Sequence, residues 1–322
     1  MQPKRNNQPT FFDMAVQQRG AVNTVLETIA REVDFTEAER RTASTYGRGG
    51  RPACRVGVLL RVMILQHIYN LSDPQAEEQI KDRLSFQKFI QLDAHESVPD
   101  ETTICRFRQR LIECGLHLEL LDLLNKQLDA RGYIVKRTTL VDATIVESSR
   151  KYPSIESVKE GTAPDAEAGF TRKNDRSYYG YKAHVASDAE HQMVRRALIT
   201  PASAQETNHF REVTPADSLE AYADRGYASK ANRQWLKNRG IKDGILKKGA
   251  RYIQLDEADL QDNQAKEKIR RPIERVFAHW KQWQHYRRVR YLGLVKNQLE
   301  LTLKAVAYNL KRLAGILERQ RA

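Results

Sequence analysis

Residues 138–146 read Thr-Thr-Leu-Val-Asp-Ala-Thr-Ile-Val. Every position but Asp142 is β-branched or apolar, so the run is expected to be a buried strand. The lone carboxylate is the constraint. Burying it without a cation or donors is costly, so the fold must bring one or the other to Asp142. Two readings are open from this stretch: a strand-edge aspartate capping a turn, or a metal ligand.

The chain is 322 residues long, which fits two domains or one large domain with an appendage. No run approaches the ~18 consecutive apolar residues of a membrane helix. The polar start, Met1 to Asn7, lacks an apolar signal core. Cys54, Cys105 and Cys114 form no CxxC pair, which argues against a disulfide framework or a zinc site. The expectation is therefore a cytoplasmic protein with no membrane partner. The net charge of +13 favours a polyanionic partner, most simply nucleic acid, although many basic proteins are merely soluble.

Residues 1–20 are polar and are expected to be loose, and 21–132 to form a helical domain. Apolar spacing predicts helices over 21–33 and 56–69, the second a core helix. Tyr46 to Pro52 reads as a flexible basic loop, with no Gly-Lys-Ser/Thr to make it a P-loop. Ser72 or Asp73 is expected to cap a helix with Pro74 in its first turn. Short helices follow near 74–83 and 85–92. A further cap at 97–101 opens a helix from Thr102 to Cys114. There Ile104, Phe107, Leu111 and Ile112 share one face, while Thr102, Thr103, Arg106 and Arg110 lie elsewhere. This suits the reading helix of a helix-turn-helix variant, or equally a plain bundle with a solvated basic face.

From 133 on the pattern changes to strands. Residues 150–177 read as a long loop, and 179–186 with 193–200 as a hairpin. With the Asp142 strand these would begin an antiparallel sheet. A short strand over 219–227 carries Asp224, followed by Gly226. Residues 240–265 read as a small insertion, and Leu292 to Leu317 as a long amphipathic helix. Between them Ile269, Ile273, Val276, Phe277 and Trp280 fall on one arc at ~100° per residue. Glu274 lies roughly 120° from the centre of that stripe. Lys281 projects within about 20° of Glu274, and Arg270 projects nearby if Pro272 leaves the helix regular. If Pro272 opens a new helix, Glu274 sits near its positive end. Residues 266–290 hold nine Lys or Arg and two Glu, a local +7. A surface salt bridge would account for Glu274 as well as a catalytic role would.

Asp142, Asp224 and Glu274 follow one another at 224 − 142 = 82 and 274 − 224 = 50 residues. Together they suit a magnesium cage, since that ion prefers carboxylate oxygens and keeps places for water and phosphate. Two such ions can activate a water or 3′-hydroxyl and stabilise the leaving oxygen at phosphorus.

Several spaced blocks resemble bacterial insertion-sequence DDE transposases of the insertion-sequence-five family. The amino-terminal blocks are Gly50-Arg51-Pro52, Leu71-Ser72-Asp73, Leu84-Ser85-Phe86, Val98-Pro99-Asp100 and Arg106-Phe107-Arg108. The catalytic blocks are Val141-Asp142-Ala143-Thr144, Tyr179-Gly180-Tyr181-Lys182-Ala183-His184, Ala223-Asp224-Arg225-Gly226-Tyr227 and Glu274-Arg275-Val276-Phe277 with Lys281. The resemblance implies an α/β, ribonuclease H-like mixed sheet over 133–322, preceded by the all-α domain. It implies the triad Asp142, Asp224 and Glu274, two magnesium ions for which manganese substitutes, and cleavage and joining of DNA at terminal inverted repeats. A homodimer or larger assembly on DNA, associated with the bacterial nucleoid, goes with it. Arg270, Lys281 and Lys182 are expected on DNA phosphates, and Thr102, Thr103, Arg106 and Arg110 in the DNA-reading helix. The related signature of Tyr, Arg, Glu and Lys is met at Arg270, Glu274 and Lys281, but Glu267 stands at the Tyr position. The rival expectations are a structure-specific nuclease of the same fold, which cuts without joining, and a DNA-binding regulator with a broken triad.

Overall fold

A computed structural model describes residues 24–46, 54–93, 95–150, 152–173, 175–249 and 254–321. The expected loose segment 1–20 and all of the expected 46–52 loop except Tyr46 lie outside them. The chain divides into two compact units. The first holds the described residues up to Leu124 with those from Val306 on, and the second is Asn125–Ala305. The changeover thus falls a few residues before the expected 132/133 boundary. The end of the chain belongs with the first unit, not the second.

The first unit is helical: α1 (Thr24–Glu32), α2 (Thr36–Ala43), α3 (Val56–Tyr69), α4 (Asp73–Asp82), α5 (Leu84–Ile90), α6 (Glu101–Glu113) and the start of α7 (Leu116–Ala130). As predicted for a core helix, α3 is apolar nearly all round and buries eleven residues from Val56 to Ile68. Helices α2, α4, α5 and α6 pack on it. Ser72 caps α4: its hydroxyl accepts from Gln75 N, the Gln75 side chain accepts from Ser72 N, and Pro74 stands in the first turn. Asp100 caps α6 by accepting from Thr103 N at 2.6 Å.

The second unit is a mixed sheet with flanking helices. Its strands are β1 (Thr138–Glu147), β2 (Gly169–Lys173), β3 (Arg176–Asp188), β4 (Val194–Pro201), β5 (Glu220–Ala223) and β6 (Lys242–Ile245). The order is β2-β3-β1-β5-β6, with β4 also paired to β3. β1 runs antiparallel to β3 and parallel to β5, and β5 is parallel to β6. β2 pairs with the first part of β3 and β4 with the rest. The stretch expected as loop therefore contributes α8 (Ile155–Lys159) and β2, while β6 falls where a short strand is expected over 242–246. Helix α9 (Glu206–Val213) and α10 (Lys230–Asn238) help enclose a core of Val141, Ala186, Phe210, Ala221, Tyr227 and Ile245.

Pro272 divides the predicted basic helix. α11 (Glu257–Arg270) ends just before it and α12 (Ile273–Trp283) begins just after. A proline ring has no N–H to offer and suits a first turn. Ile273, Val276, Phe277 and Trp280 are buried as expected, but Ile269, on the other helix, is 39% exposed. The last helix, α13 (Leu294–Arg321), is about 42 Å long and is shared between the units. Among the described residues no helix is long and apolar enough to cross a membrane.

Candidate active site

The parallel register of β1 and β5 pairs Val141 with Ala223. The next residue on each strand is an aspartate. Neighbouring strands lie about 4.8 Å apart, so Asp142 and Asp224 stand side by side where β5 ends. Asp142 continues in β1, opposite Val185 of β3. Asp224 leaves the sheet and caps a single 3-10 turn, Arg225–Tyr227, by accepting from Arg225 N at 2.6 Å.

Asp142 receives what its largely buried position requires. Its Oδ1 accepts from Ala143 N at 2.8 Å, and Arg270 Nη1 lies 2.6 Å from its Oδ2. Burial nevertheless pushes the carboxyl up to about 6 against the pull of Arg270 and the Ala143 amide, and the charges of Asp224 and Glu206 push the same way. Arg270, the last residue of α11, is itself held by Glu267, through Nε at 3.1 Å and Nη2 at 2.7 Å. One guanidinium thus bridges two carboxylates, a geometry that its planar fork allows.

Glu206 is the residue that sequence reasoning missed. It opens α9, where an acid is ordinary, so nothing local singles it out. A Cβ built on Gly226 would come 2.4 Å from Glu206 Oε2. The bare glycine after Asp224 and Arg225 therefore lets this carboxylate close in on the pair of aspartates. Lys182, expected on DNA, is engaged here: its Nζ donates to Ala204 O at 2.9 Å and lies 3.4 Å from Glu206 Oε1. Beneath the carboxylates is a neutral floor. The buried Tyr227 hydroxyl is 3.2 Å from His184 Nδ1, and His184 Nε2 is 3.0 Å from Thr200 Oγ1. Burial, with His209 and Lys182, pushes His184 down to about 3, so the imidazole is uncharged at neutral pH. Burial and the nearby carboxylates hold the Tyr227 hydroxyl well above its ordinary range.

Glu274 lies in the first turn of α12, the helix that packs on β1. Its neighbour Arg271 and Pro272 keep helical backbone angles, so Glu274 follows Arg270 by about one turn. It is exposed and forms no salt bridge among the described residues, so the surface ion pair considered from the sequence is not observed. Among the described residues no group of three or more His, Cys, Asp or Glu is assembled to hold a metal ion. Lys281 is partly buried on α12. In the helical unit, Thr102 and Arg106 are exposed on α6. Arg110 instead turns inward, donating to Thr45 O at 2.8 Å with its guanidinium 4.2 Å from the centre of the Tyr46 ring.

Residues 15–110 match the family model described as Transposase domain (DUF772), and residues 134–310 match the model described as Transposase DDE domain. The transposase for insertion sequence element IS1106 of Neisseria meningitidis serogroup B is 35% identical over 225 residues, spanning 66% of this chain and 78% of that protein. Two solved structures share a remote likeness. The piggyBac transposase synaptic complex with hairpin DNA is 7% identical, with a TM-score of 0.43 over 94% of this chain and 76% of its own. The Mos1 strand transfer complex is 13% identical, with a TM-score of 0.20 over 80% and 88%.

Proposed function

The chain belongs to the DDE transposases of bacterial insertion sequences, and from that premise we propose how it works. It binds the terminal inverted repeats of its mobile element, hydrolyses phosphodiester bonds at the ends, and joins the freed 3′-hydroxyl to target DNA. The sheet order, antiparallel from β4 through β3 to β1 and parallel on through β5 and β6, supports a ribonuclease H-like fold. The exposed Thr102 and Arg106 support α6 as the helix that reads DNA. The protein works as a dimer or larger assembly that brings two ends together.

The donor chemistry at Asp142 suits divalent ions, magnesium first and manganese in its place. The donors are carboxylate oxygens, and the charges of Asp224 and Glu206 raise the proton affinity of Asp142, which has one cationic partner. Asp142, Asp224 and Glu274 are the proposed ligands. Bound there, two ions supply an activated water or 3′-hydroxyl and a stabilised leaving oxygen. The chain's own residues do the rest. Arg270 neutralises Asp142 while no other cation is present, and Glu267 keeps the guanidinium in place. Once the charge of Asp142 is taken up elsewhere, one edge of Arg270 is free for a phosphate oxygen. The His184–Tyr227 floor places no charge beneath the carboxylates, so their field is directed outward.

The observation that carries this reading is the β1–β5 register, which pairs Val141 with Ala223 and so sets the next residues, Asp142 and Asp224, side by side. The test is Asp142→Asn, assayed on DNA bearing the inverted repeats that flank the reading frame. Strand transfer is expected to vanish while end binding survives. Retained transfer would remove Asp142 from the mechanism.

A further inference from the structure

β1 ends at Glu147, five residues beyond Asp142 and about 16 Å along the strand at about 3.3 Å per residue. Cations crowd this end of the sheet. Arg176 Nη2 is 3.2 Å from Glu147 Oε1, and Arg288 Nη2 is 3.4 Å from Oε2. Lys173 pairs with Arg176 across the β2–β3 ladder. Arg287 lies directly against the strand, its carbonyl accepting from Glu147 N at 2.9 Å. Glu147 thus engages Arg176 and Arg288. No described carboxylate pairs with Lys173, Arg287 or Lys281.

Lys281 is the telling member. It is partly buried, and burial, then the charges of Lys173 and Arg287, make its protonated form less favourable. Desolvating a cation beside two others gives the free protein nothing. An anion between the three would reverse the sign of that interaction.

The platform beneath them is firm. Asp165 accepts from Ser148 Oγ at 2.6 Å, Tyr181 Oη at 2.6 Å and Gly293 N at 3.3 Å, which ties the segment before β2 to β1, β3 and the start of α13. The Phe170 and Tyr179 rings pack across β2 and β3 at 5.1 Å.

We propose that Lys173, Lys281 and Arg287 form a phosphate-binding site that grips the DNA backbone about 16 Å from Asp142, roughly five nucleotide steps at about 3.4 Å each. This rests on the reading of the chain as a DNA transposase, and it adds Lys173 and Arg287 to the residues that reading names. The grip is to phosphate, so it carries no base sequence.

The test uses the full chain and a mixed-sequence DNA duplex, with affinity followed by fluorescence anisotropy across a salt series. The triple variant Lys173→Gln, Lys281→Gln, Arg287→Gln is expected to bind about tenfold or more weakly at low salt. Its salt slope should be flatter by about 2 to 3, at about 0.9 per lost contact. A control losing the exposed Lys230 and Lys237 of α10 should keep the parent slope. Lys281→Met alone should melt no lower than the parent, because it relieves a repulsion and breaks no described ion pair. An unchanged slope in the triple variant, an equal loss in the control, or a melting temperature that falls with Lys281→Met would each overturn the proposal. Strand transfer measured on the parent protein separates the two readings. Joining with an undiminished triple variant sinks the phosphate site alone, while salt-sensitive binding through the site without joining sinks the transposition scheme alone.

Discussion

Asp142→Asn is expected to make the metal-free protein more stable. The carboxyl is lifted from 3.8 to about 6, mainly by burial, with Asp224 and Glu206 adding to it. The folded state therefore holds this proton more tightly than the unfolded chain does, and stability falls as pH rises from about 4 to about 6. Above that range the ionised group costs about 3 kcal/mol, at about 1.4 kcal/mol for each pH unit. Asparagine has nearly the same shape and no charge. Its carbonyl still accepts from Arg270, which also keeps Glu267, while its amide faces the Ala143 N–H that Oδ1 accepted, which offsets about 1 kcal/mol of the gain. Removing the cost should raise the melting temperature by several degrees, at about 2–4 °C per kcal/mol for a unit of this size. The assay is thermal unfolding in chelator, near neutral pH and again near pH 4, where the gap should close. Magnesium should stabilise the parent and not the variant. A variant that melts at or below the parent near neutral pH would refute the reasoning, because Asp142 would then stabilise the fold.

Two structural predictions accompany this one. A Cβ on Gly180 would meet Val146 O at 2.3 Å and Ser148 N at 2.7 Å, both backbone atoms at the end of β1. Gly180→Ala should thus cost about 1–3 kcal/mol in denaturant unfolding, and an unshifted midpoint would contradict the close approach of β1 and β3. Asp165→Ala strips the acceptor from Ser148, Tyr181 and the Gly293 amide. At about 1 kcal/mol for each donor left without it, the loss should reach about 3 kcal/mol. Amide exchange in β2 and the start of β3 should quicken first, and uniform exchange across the sheet would argue against a local anchor.

Elements whose burial follows a simple period were legible in the sequence. β1, the β3–β4 hairpin and α3 announce themselves through β-branched runs or unbroken apolarity. Ser72, Pro74 and Asp100 mark helix starts because capping chemistry is local. α2 went unread because only Ala38 and Thr42 of its eight residues are buried. β2 reads Gly-Phe-Thr-Arg-Lys, and only its first residue is fully buried, so it shows no strand alternation. The arc holds for its four members on α12, while Ile269 belongs to α11, which ends before Pro272, and is exposed. At the candidate site, Asp142 and Asp224 were legible as acids in or beside apolar strands. Glu206 was not, since an acid in the first turn of a helix needs no further reason. The inward turns of Lys182 and Arg110 depend on carbonyls and rings distant in sequence, which spacing cannot supply.

Glu267 shows what a partner one helical turn away does. In the related signature this position is a tyrosine, so Arg270 would there lack the glutamate carboxylate. Here the guanidinium gives Nε and Nη2 to Glu267 and only Nη1 to Asp142. Both oxygens of Asp142 already have a donor, Ala143 N on one and Arg270 on the other. A cation arriving at Asp142 must therefore share Oδ1 with the Ala143 amide, or share Oδ2 with Arg270 or displace it there. Glu267 eases the displacement, because an arginine that keeps a carboxylate is not left as an unpaired buried charge when it lets another go. A lysine could not divide its charge in this way, for it lacks the fork that reaches two acids at fixed angles. The departure at 267 thus turns a buried ion pair that would resist opening into one leg of a bridge, and the other leg remains when Asp142 is released.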